Sequence, residues 1–154
     1  RGANTLYQLF NGIFDEEKLR WNNGAPNFEL IEKFYNEMNV NEDLKPKTKA
    51  TAIQIGKPSN IAKGLRALDF TDGIVEEVTD KEMLDGMSVV GLNGFDCEMA
   101  SGASVAGIKK LRDKEIIKKD DKVVGILTGR QKEPLLPIDY HNNPENRFAR
   151  PPKI

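Results

Sequence analysis

The sequence predicts an α/β fold with a mainly parallel, twisted sheet. From residue 50 onward, short apolar runs alternate with helical stretches, and this alternation is typical of βαβ units. The run KVVGIL (122–127) is apolar and rich in β-branched residues, as a strand buried on both faces of a parallel sheet would be. Three short strands make a poor sheet by themselves, so we expect the whole chain, 1–154, to be part of a larger domain.

The first 49 residues divide into an apolar start and a charged stretch. Residues 1–14 are moderately apolar and fit either a turn of helix or a strand. Residues 15–49 are charged and Asn-rich, which indicates a surface insertion. Apolar residues recur within them at three- and four-residue spacing and predict one amphipathic helix, starting near Pro26, whose apolar face docks on the body. Those apolar residues are Phe28, Ile31, Phe34, Tyr35 and Met38.

Three strands and three helices are predicted after residue 50. The strands are residues 51–56 (alternatively a buried loop), 74–78 and 122–127. Ser59 can cap the first helix, and Thr79 with Glu82 has the spacing of a capping box that begins the second. The third helix is expected from Ser101. The residues expected to face inward are Ile61, Ala62, Leu65, Leu68, Met83, Leu84, Met87, Val105, Ala106, Ile108 and Leu111.

The final segment, 130–154, contains five of the eight prolines and shows no periodicity. We expect it to be an extended segment on a surface, or partly disordered.

Composition excludes several classes of protein. The formal net charge is −1, from 23 Lys and Arg against 24 Asp and Glu, which argues against nucleic-acid binding. Three basic residues near the end, Arg147, Arg150 and Lys153, make only a small footprint for it. No apolar run approaches the roughly 20 residues that span a bilayer, so no membrane segment is expected.

The chain has one cysteine, Cys97, and one histidine, His141. A single cysteine excludes an internal disulfide and fits a reducing compartment, so we expect a cytoplasmic protein. A zinc site is not expected, and no metal-binding residue is predicted. Without a nearby His or basic cluster to lower its pKa, Cys97 is interpreted as a buried, inert thiol.

Two junctions of small residues are candidate ligand sites. In EMASGASVAG (98–107), Ser, Gly and Ala at a helix start let a ligand approach N–H groups that carry partial positive charge. In LTG (127–129), a strand ends in a hydroxyl and a glycine, and ligands of open α/β sheets bind beyond the carboxyl ends of strands. Thr128 is therefore a candidate for a ligand-facing side chain. The plainer alternatives are a capped helix packed closely on the sheet and a simple turn.

Several blocks of the sequence, taken in order, resemble the short, bacterial–archaeal type of threonine synthase. They are TAIQIGKPSN, GIVEEVTDKEML, CEMASGASVAG and VVGILTG, and GANTL (2–6) resembles the motif that opens this half of the family's fold. Met99 stands where the family has proline, Gln54 where it has arginine, and the residues from Arg130 onward differ from the family's usual continuation. The resemblance covers most of the chain outside residues 15–49 and the final segment.

The resemblance implies the C-terminal portion of a fold-type-II, tryptophan synthase β-like enzyme that uses pyridoxal 5'-phosphate. Such an enzyme converts O-phosphohomoserine and water into threonine and phosphate. It implies that Thr128 bonds the pyridine nitrogen of the cofactor, that Ser101 and Gly102 lie beside the ring, and that Gly2 and Ala3 pass close to it. A neutral hydroxyl suits an unprotonated ring nitrogen, whereas an aspartate would hold the pyridinium form.

The resemblance also identifies parts that this sequence lacks. The family's Schiff-base lysine lies in a serine-x-lysine-aspartate motif, which does not occur here, and the glycine-rich loop for the cofactor phosphate does not occur either. We therefore expect no catalytic residue in this chain, an inactive isolated fragment, and the rest of the same enzyme chain as its partner. The family commonly forms homodimers, but no dimer-specific patch stands out.

Other functions stay open at the level of the sequence. Within the superfamily they include a threonine dehydratase and a cysteate synthase. A non-catalytic, free-standing module that kept the sheet and lost the chemistry is an alternative of a different class.

Overall fold

The computed structural model describes residues 3–13, 21–22 and 25–130. The chain divides into two compact units. The first holds the described residues up to Thr48 together with Ile53–Glu77, and the second holds Lys49–Ala52 and the described residues from Val78 onward. Each unit has its own hydrophobic cluster.

The first unit is mainly helical. A short helix, α1 (Thr5–Tyr7), continues directly into a π-helix (Gln8–Ile13), so residues 5–13 are helical rather than extended. Strands β1 (Trp21–Asn22) and β2 (Ala25–Pro26) form a two-residue antiparallel pair, with Trp21 opposite Pro26. The elements are α1 (Thr5–Tyr7), the π-helix (Gln8–Ile13), β1 (Trp21–Asn22), β2 (Ala25–Pro26), α2 (Phe28–Val40), a 3-10 turn (Glu42–Leu44) and α3 (Ile61–Phe70).

Helix α2 confirms the predicted amphipathic helix, with one residue misplaced. Ile31, Phe34 and Met38 are buried against Leu9, Phe10, Ile61 and Leu65 in one cluster. The prediction for Phe28 was wrong, since that side chain is 54% exposed. Phe28 is the first residue of α2, which Asn27 caps by accepting a hydrogen bond from the Leu30 N–H. Because side chains lean toward a helix's N-terminus, Phe28 points past the end of the packed face.

Helix α3 begins at Ile61, two residues after the predicted cap. The N-cap position is occupied by Asn60, so the prediction of Ser59 as the cap was wrong. The Asn60 side chain makes no capping hydrogen bond. Ile61 and Leu65 are buried as expected, whereas Ala62 and Leu68 are half-buried.

The second unit is built on two helices, α4 (Asp80–Leu92) and α5 (Met99–Asp113). The predicted capping box is confirmed, because Thr79 accepts from the Glu82 N–H and Glu82 accepts from the Thr79 N–H. Helix α5 starts at Met99, two residues before the predicted start at Ser101. The buried cluster of this unit consists of Ala50, Met83, Met99 and Ala100.

Helices α4 and α5 approach each other closely at two glycines. A Cβ built on Gly86 would lie 2.4 Å from the Gly102 carbonyl oxygen, and one on Gly102 would lie 2.2 Å from the Met83 carbonyl oxygen. Any side chain at either position would meet backbone, which cannot move aside as a flexible side chain does. The two glycines therefore permit backbone-to-backbone packing of the helices.

The predicted parallel sheet is absent from the described residues. Residues 122–127 have no strand partner among them, and Val124 and Ile126 are 88% and 68% exposed. Residues 74–78 form no strand either, and 51–56 hold a 3-10 turn (Thr51–Ile53) with exposed isoleucines. A strand needs a neighbour to satisfy its N–H and C=O groups and to cover its faces. No segment of the described chain provides that neighbour.

Two of the predicted segments lie partly outside the described residues. In 130–154 only Arg130 is described, and of 15–49 the described part is residues 21–22 and 25–49. Their assignment as a surface insertion and an extended tail stays a prediction. Among the helices in the described part of the chain, none has the length and apolar character to cross a bilayer.

Candidate functional site

Two segments far apart in the sequence meet in the second unit, at the start of α5 and at the turn Thr128–Gly129. The backbone N–H groups of Thr128 and Gly129 both donate to Ser101 Oγ, at 2.9 and 3.1 Å. Ser101 is only 1% exposed, so its hydroxyl lies beneath the turn. A buried side chain thus takes the place of a strand partner for these two amides.

The proton of Ser101 has two acceptors within reach. Its hydroxyl lies 3.2 Å from Thr128 Oγ1 and 3.4 Å from the Gly129 carbonyl oxygen. Because the two backbone N–H groups occupy the acceptor capacity of Ser101 Oγ, its own proton goes to one of these oxygens. Ser101 therefore serves Thr128 and Gly129 at once.

Glu98, immediately before α5, contacts the same turn from a second direction. Its N–H donates to the Gly129 carbonyl oxygen at 3.0 Å, and its Oε1 lies 3.4 Å from Thr128 Oγ1. A Cβ at position 129 would lie 2.5 Å from that Oε1, so the carboxylate fits in this place only beside a glycine. An acidic side chain at a helix N-terminus also complements the helix dipole.

Asp96 and Cys97 lie beside the junction, and neither forms a hydrogen bond or ion pair with Thr128. Arg130 Nε is 3.5 Å from Asp96 Oδ2, but both side chains are exposed, at 86% and 45%, so the ion pair stabilises little. Cys97 is 1% exposed, as predicted for a buried thiol. Burial raises its pKa, and the neighbouring carboxylates of Asp96 and Glu98 raise it further, which keeps the thiol protonated and unreactive.

The structure brings three of the five predicted site residues together. Thr128 is exposed, Ser101 is buried below it, and Gly102 lies on the next position of α5, where its Cα faces α4. Ala3 belongs to the other unit and Gly2 lies outside the described residues. Contact of any of these residues with a cofactor stays a prediction.

Sequence reasoning missed Glu98 as a partner of Thr128. The signal that was available is its position, an acidic residue directly before a helix start that is rich in small residues. The distance of thirty residues to Thr128 hid the contact, because nothing in the sequence reports which turn packs on which helix.

The chemistry of this junction fits the pyridine nitrogen of pyridoxal phosphate. The Thr128 hydroxyl is held on its inner side by Ser101 and Glu98, while the residue itself is exposed on its outer side. A hydroxyl in that arrangement can donate to, or accept from, a ring nitrogen.

Comparison with known proteins gives the same class. Residues 24–129 match the family described as pyridoxal-phosphate dependent enzyme. The chain is 42% identical over 107 residues to the threonine synthase of Methanosarcina acetivorans, covering 68% of this chain and 26% of that protein. It is 42% identical over 85 residues to the threonine synthase of Methanocaldococcus jannaschii, covering 54% and 21%.

A plant relative agrees with the archaeal ones. Threonine synthase 2, chloroplastic, of Arabidopsis thaliana is 33% identical over 120 residues, covering 72% of this chain and 23% of that protein. The chain thus spans about a quarter of the length of the curated relatives it matches. The family match covers more than half of the sequence. The chain belongs to the pyridoxal-phosphate dependent enzymes and covers part of that family's domain.

Proposed function

We propose that this chain forms one wall of the active site of a threonine synthase, which converts O-phosphohomoserine and water into threonine and phosphate. Two kinds of support bear on the proposal. The relatives with 33–42% identity described above carry the name threonine synthase. The observation that carries the proposal is the exposed residue Thr128, whose hydroxyl and backbone N–H both contact the buried Ser101 hydroxyl.

In this proposal the residues of the chain bind and orient the cofactor. Thr128 forms a hydrogen bond to the pyridine nitrogen, and Ser101 fixes the turn that carries Thr128. Gly129 leaves room for the Glu98 carboxylate beside that turn. When bound, the cofactor supplies an electron sink for negative charge that develops on the substrate, and the protein supplies its orientation.

The covalent chemistry belongs to other residues of the enzyme. The sequence has no serine-x-lysine-aspartate motif and no glycine-rich phosphate loop, so the proposal assigns the lysine and the phosphate contacts to the remainder of the enzyme. The isolated chain is therefore proposed to be inactive.

A chimaera tests this proposal directly. The matching residues of the Methanosarcina acetivorans threonine synthase are replaced by this chain, and phosphate release from O-phosphohomoserine is measured. We expect activity in the chimaera and none in the 154-residue chain alone. Thr128→Val should lower turnover by up to about tenfold, since one net hydrogen bond is worth about 0.5–1.5 kcal/mol.

The matched control is Thr71→Val, which makes the same change at an exposed threonine that follows α3 and donates its hydroxyl proton to the Ala67 carbonyl oxygen. It should leave turnover and the cofactor absorbance unchanged. A chimaera that binds the cofactor but only dehydrates serine or threonine would favour a dehydratase. A Thr128→Val chimaera with normal turnover and an unchanged cofactor spectrum would remove Thr128 from the site.

A further inference from the structure

The second unit has a groove between α4 and α5, beside the close approach of the two helices at Gly86. The volume of the groove is about 590 Å³, which lies within the range of about 300–1,000 Å³ that is typical of small-molecule sites. Every residue that lines it belongs to α4 or α5, so the groove is formed within a single compact unit. The junction residues Glu98, Ser101, Thr128 and Gly129 lie outside it.

Apolar side chains form the floor of the groove. Val89 comes from α4, and Val105, Ala106 and Ile108 come from α5. These four residues are buried or half-buried, whereas Arg112 and the other charged residues nearest the solvent are exposed and form the rim. A ligand that covers the floor removes its remaining apolar surface from water, which favours binding of an apolar body.

Most charges on the rim are paired within their own helix. On α4, Lys81 Nζ lies 3.2 Å from Asp85 Oδ2. On α5, Lys109 forms an ion pair with Asp113. Both pairs have the four-residue spacing that places side chains next to each other on a helix. These four residues therefore contribute little net charge to the groove.

Arg112 supplies a positive charge that is not paired in this way. Four basic and three acidic residues line the groove, and the third acidic residue, Glu82, accepts hydrogen bonds from Thr79 and feels the positive charge of Lys110. Within the described part of the chain, the Arg112 side chain forms no ion pair or hydrogen bond. A guanidinium is planar and carries several donors, so it suits a carboxylate or phosphate group.

We propose that this groove binds an organic anion with a flat apolar body. The apolar body lies on Val89, Val105 and Ile108, and the carboxylate or phosphate group binds at Arg112. A neutral ligand would leave the Arg112 charge without a partner, and a cation would meet the surplus of positive charge on the rim. The site is independent of the proposed threonine synthase activity, because it shares no residue with the Thr128 junction.

The first experiment titrates three probes of one shape into the ¹⁵N-labelled 154-residue chain, followed by the amide NMR shifts. The probes are 2-naphthoate, 2-naphthyl phosphate and the neutral 2-naphthalenemethanol. We expect shift changes concentrated in residues 81–89 and 105–113, with the better anion binding about twofold to fivefold more tightly than the alcohol, the range of an exposed ion pair. The tighter of the two anions identifies the anionic group. Shift changes concentrated in the exposed run 122–127, or an alcohol that binds as tightly as both anions, would overturn the proposal.

A charge variant with a matched control tests the role of Arg112. Arg112→Gln should weaken binding of the preferred anion about twofold to fivefold and leave the Kd of the alcohol unchanged. Arg66→Gln makes the same change at an exposed arginine of α3, in the other unit, and should leave all three Kd values unchanged. An unchanged Kd for the anion in Arg112→Gln, or an equal loss in Arg66→Gln, would contradict the assignment of the anion to Arg112.

A second variant fills the groove, and a salt titration needs no variant at all. Val105→Phe adds volume at a half-buried position of the floor and should abolish binding of all three probes, while the amide spectrum of the free variant shows whether the fold is kept. In the unchanged chain, raising the salt from about 0.05 to about 0.5 M should weaken the anion and spare the alcohol. Undiminished binding to a folded Val105→Phe chain, or an anion affinity that ignores salt, would contradict the proposal.

Discussion

At residue 101 a serine hydroxyl satisfies two backbone amides that a strand partner would otherwise satisfy. The sequence placed Ser101 at the start of a ligand-binding helix, on the general ground that small residues let a ligand approach. The structure places it 1% exposed under the turn at Thr128 and Gly129. Contact of Ser101 with a ligand stays a prediction, and its burial was not foreseen because sequence patterns do not tell which side of a helix start is covered.

Replacing this serine should cost more stability than replacing another buried serine. Ser101→Ala leaves the Thr128 and Gly129 N–H groups without their acceptor, and we expect a loss of about 1–3 kcal/mol in the free energy of unfolding. Ser88→Ala is the control, since Ser88 is also buried but bonds only the Leu84 carbonyl oxygen of its own helix. That change should stay within about 0.5 kcal/mol. Urea titration of both variants measures the difference, and equal losses would contradict the anchoring role.

Among the elements, α4 was predicted best, because its start is encoded locally. Thr79 and Glu82 satisfy each other's N–H groups, at 2.6 and 3.2 Å, and this exchange requires only the identity and spacing of two residues. Burial of the Glu82 carboxyl acts to raise its pKa. The hydrogen bonds from the Thr79 N–H and hydroxyl, with the positive charge of Lys110, outweigh burial, so the pKa is lowered.

A lowered pKa makes the capping box sensitive to acid. Because the folded state holds Glu82 ionised more strongly than the unfolded state does, its contribution is present above the unfolded value, about 4.3, and is lost as the pH falls through the folded value. We expect the stability advantage of the wild type over Glu82→Gln to shrink as the pH is lowered from about 7 to about 3. Thermal unfolding across that range measures it. In a Thr79→Ala background the same comparison should depend less on pH.

The contact between α4 and α5 could not be predicted from local patterns. In the sequence Gly86 is an ordinary helix-weakening residue and Gly102 is part of a candidate ligand site, whereas the structure shows both at the crossing of the two helices. The apolar spacing did predict that Met83 is buried. It could not predict that two backbones touch between the helices.

Two glycines of α5 should respond to alanine in opposite directions. Gly102→Ala would place a Cβ 2.2 Å from the Met83 carbonyl oxygen, so the helices must separate, and we expect a loss of about 1–3 kcal/mol or more. Gly107→Ala meets nothing within 4 Å and should stabilise the helix by about 0.5–1 kcal/mol. Denaturant midpoints of the two variants test this. A neutral Gly102→Ala would show that the crossing can relax.

At the scale of the whole molecule, the sequence predicted an α/β fold with a parallel sheet, whereas the described residues form helices and one short antiparallel pair of strands. The apolar run 122–127 has the composition of a buried parallel strand, yet Val124 and Ile126 are largely exposed. Strand propensity reflects packing against neighbours rather than a preference of the backbone alone. Helices satisfy their own backbone hydrogen bonds, so the local sequence is enough to predict α2, α4 and α5. A parallel strand needs a neighbouring strand, and the described residues provide none for 122–127.

The division into two units also reflects packing within each unit in place of a shared sheet. Each unit buries its own cluster, Leu9 to Leu65 in the first and Ala50 to Ala100 in the second. The chain spans about a quarter of the length of its curated relatives. Each cluster forms from residues within that span, whereas the predicted parallel sheet requires pairing between segments that are farther apart in the sequence.

The junction formed by Glu98, Ser101, Thr128 and Gly129 has a consequence for how such a chain can be recombined. Its four members lie in two segments separated by 26 residues between Ser101 and Thr128, yet each depends on the others for space or for a hydrogen-bond partner. A crossover between relatives that falls inside residues 98–129 can join a helix start from one parent to a turn from another. Libraries built by exchanging segments should therefore inherit 98–129 as one block, and breakpoints within it should be depleted among the functional progeny.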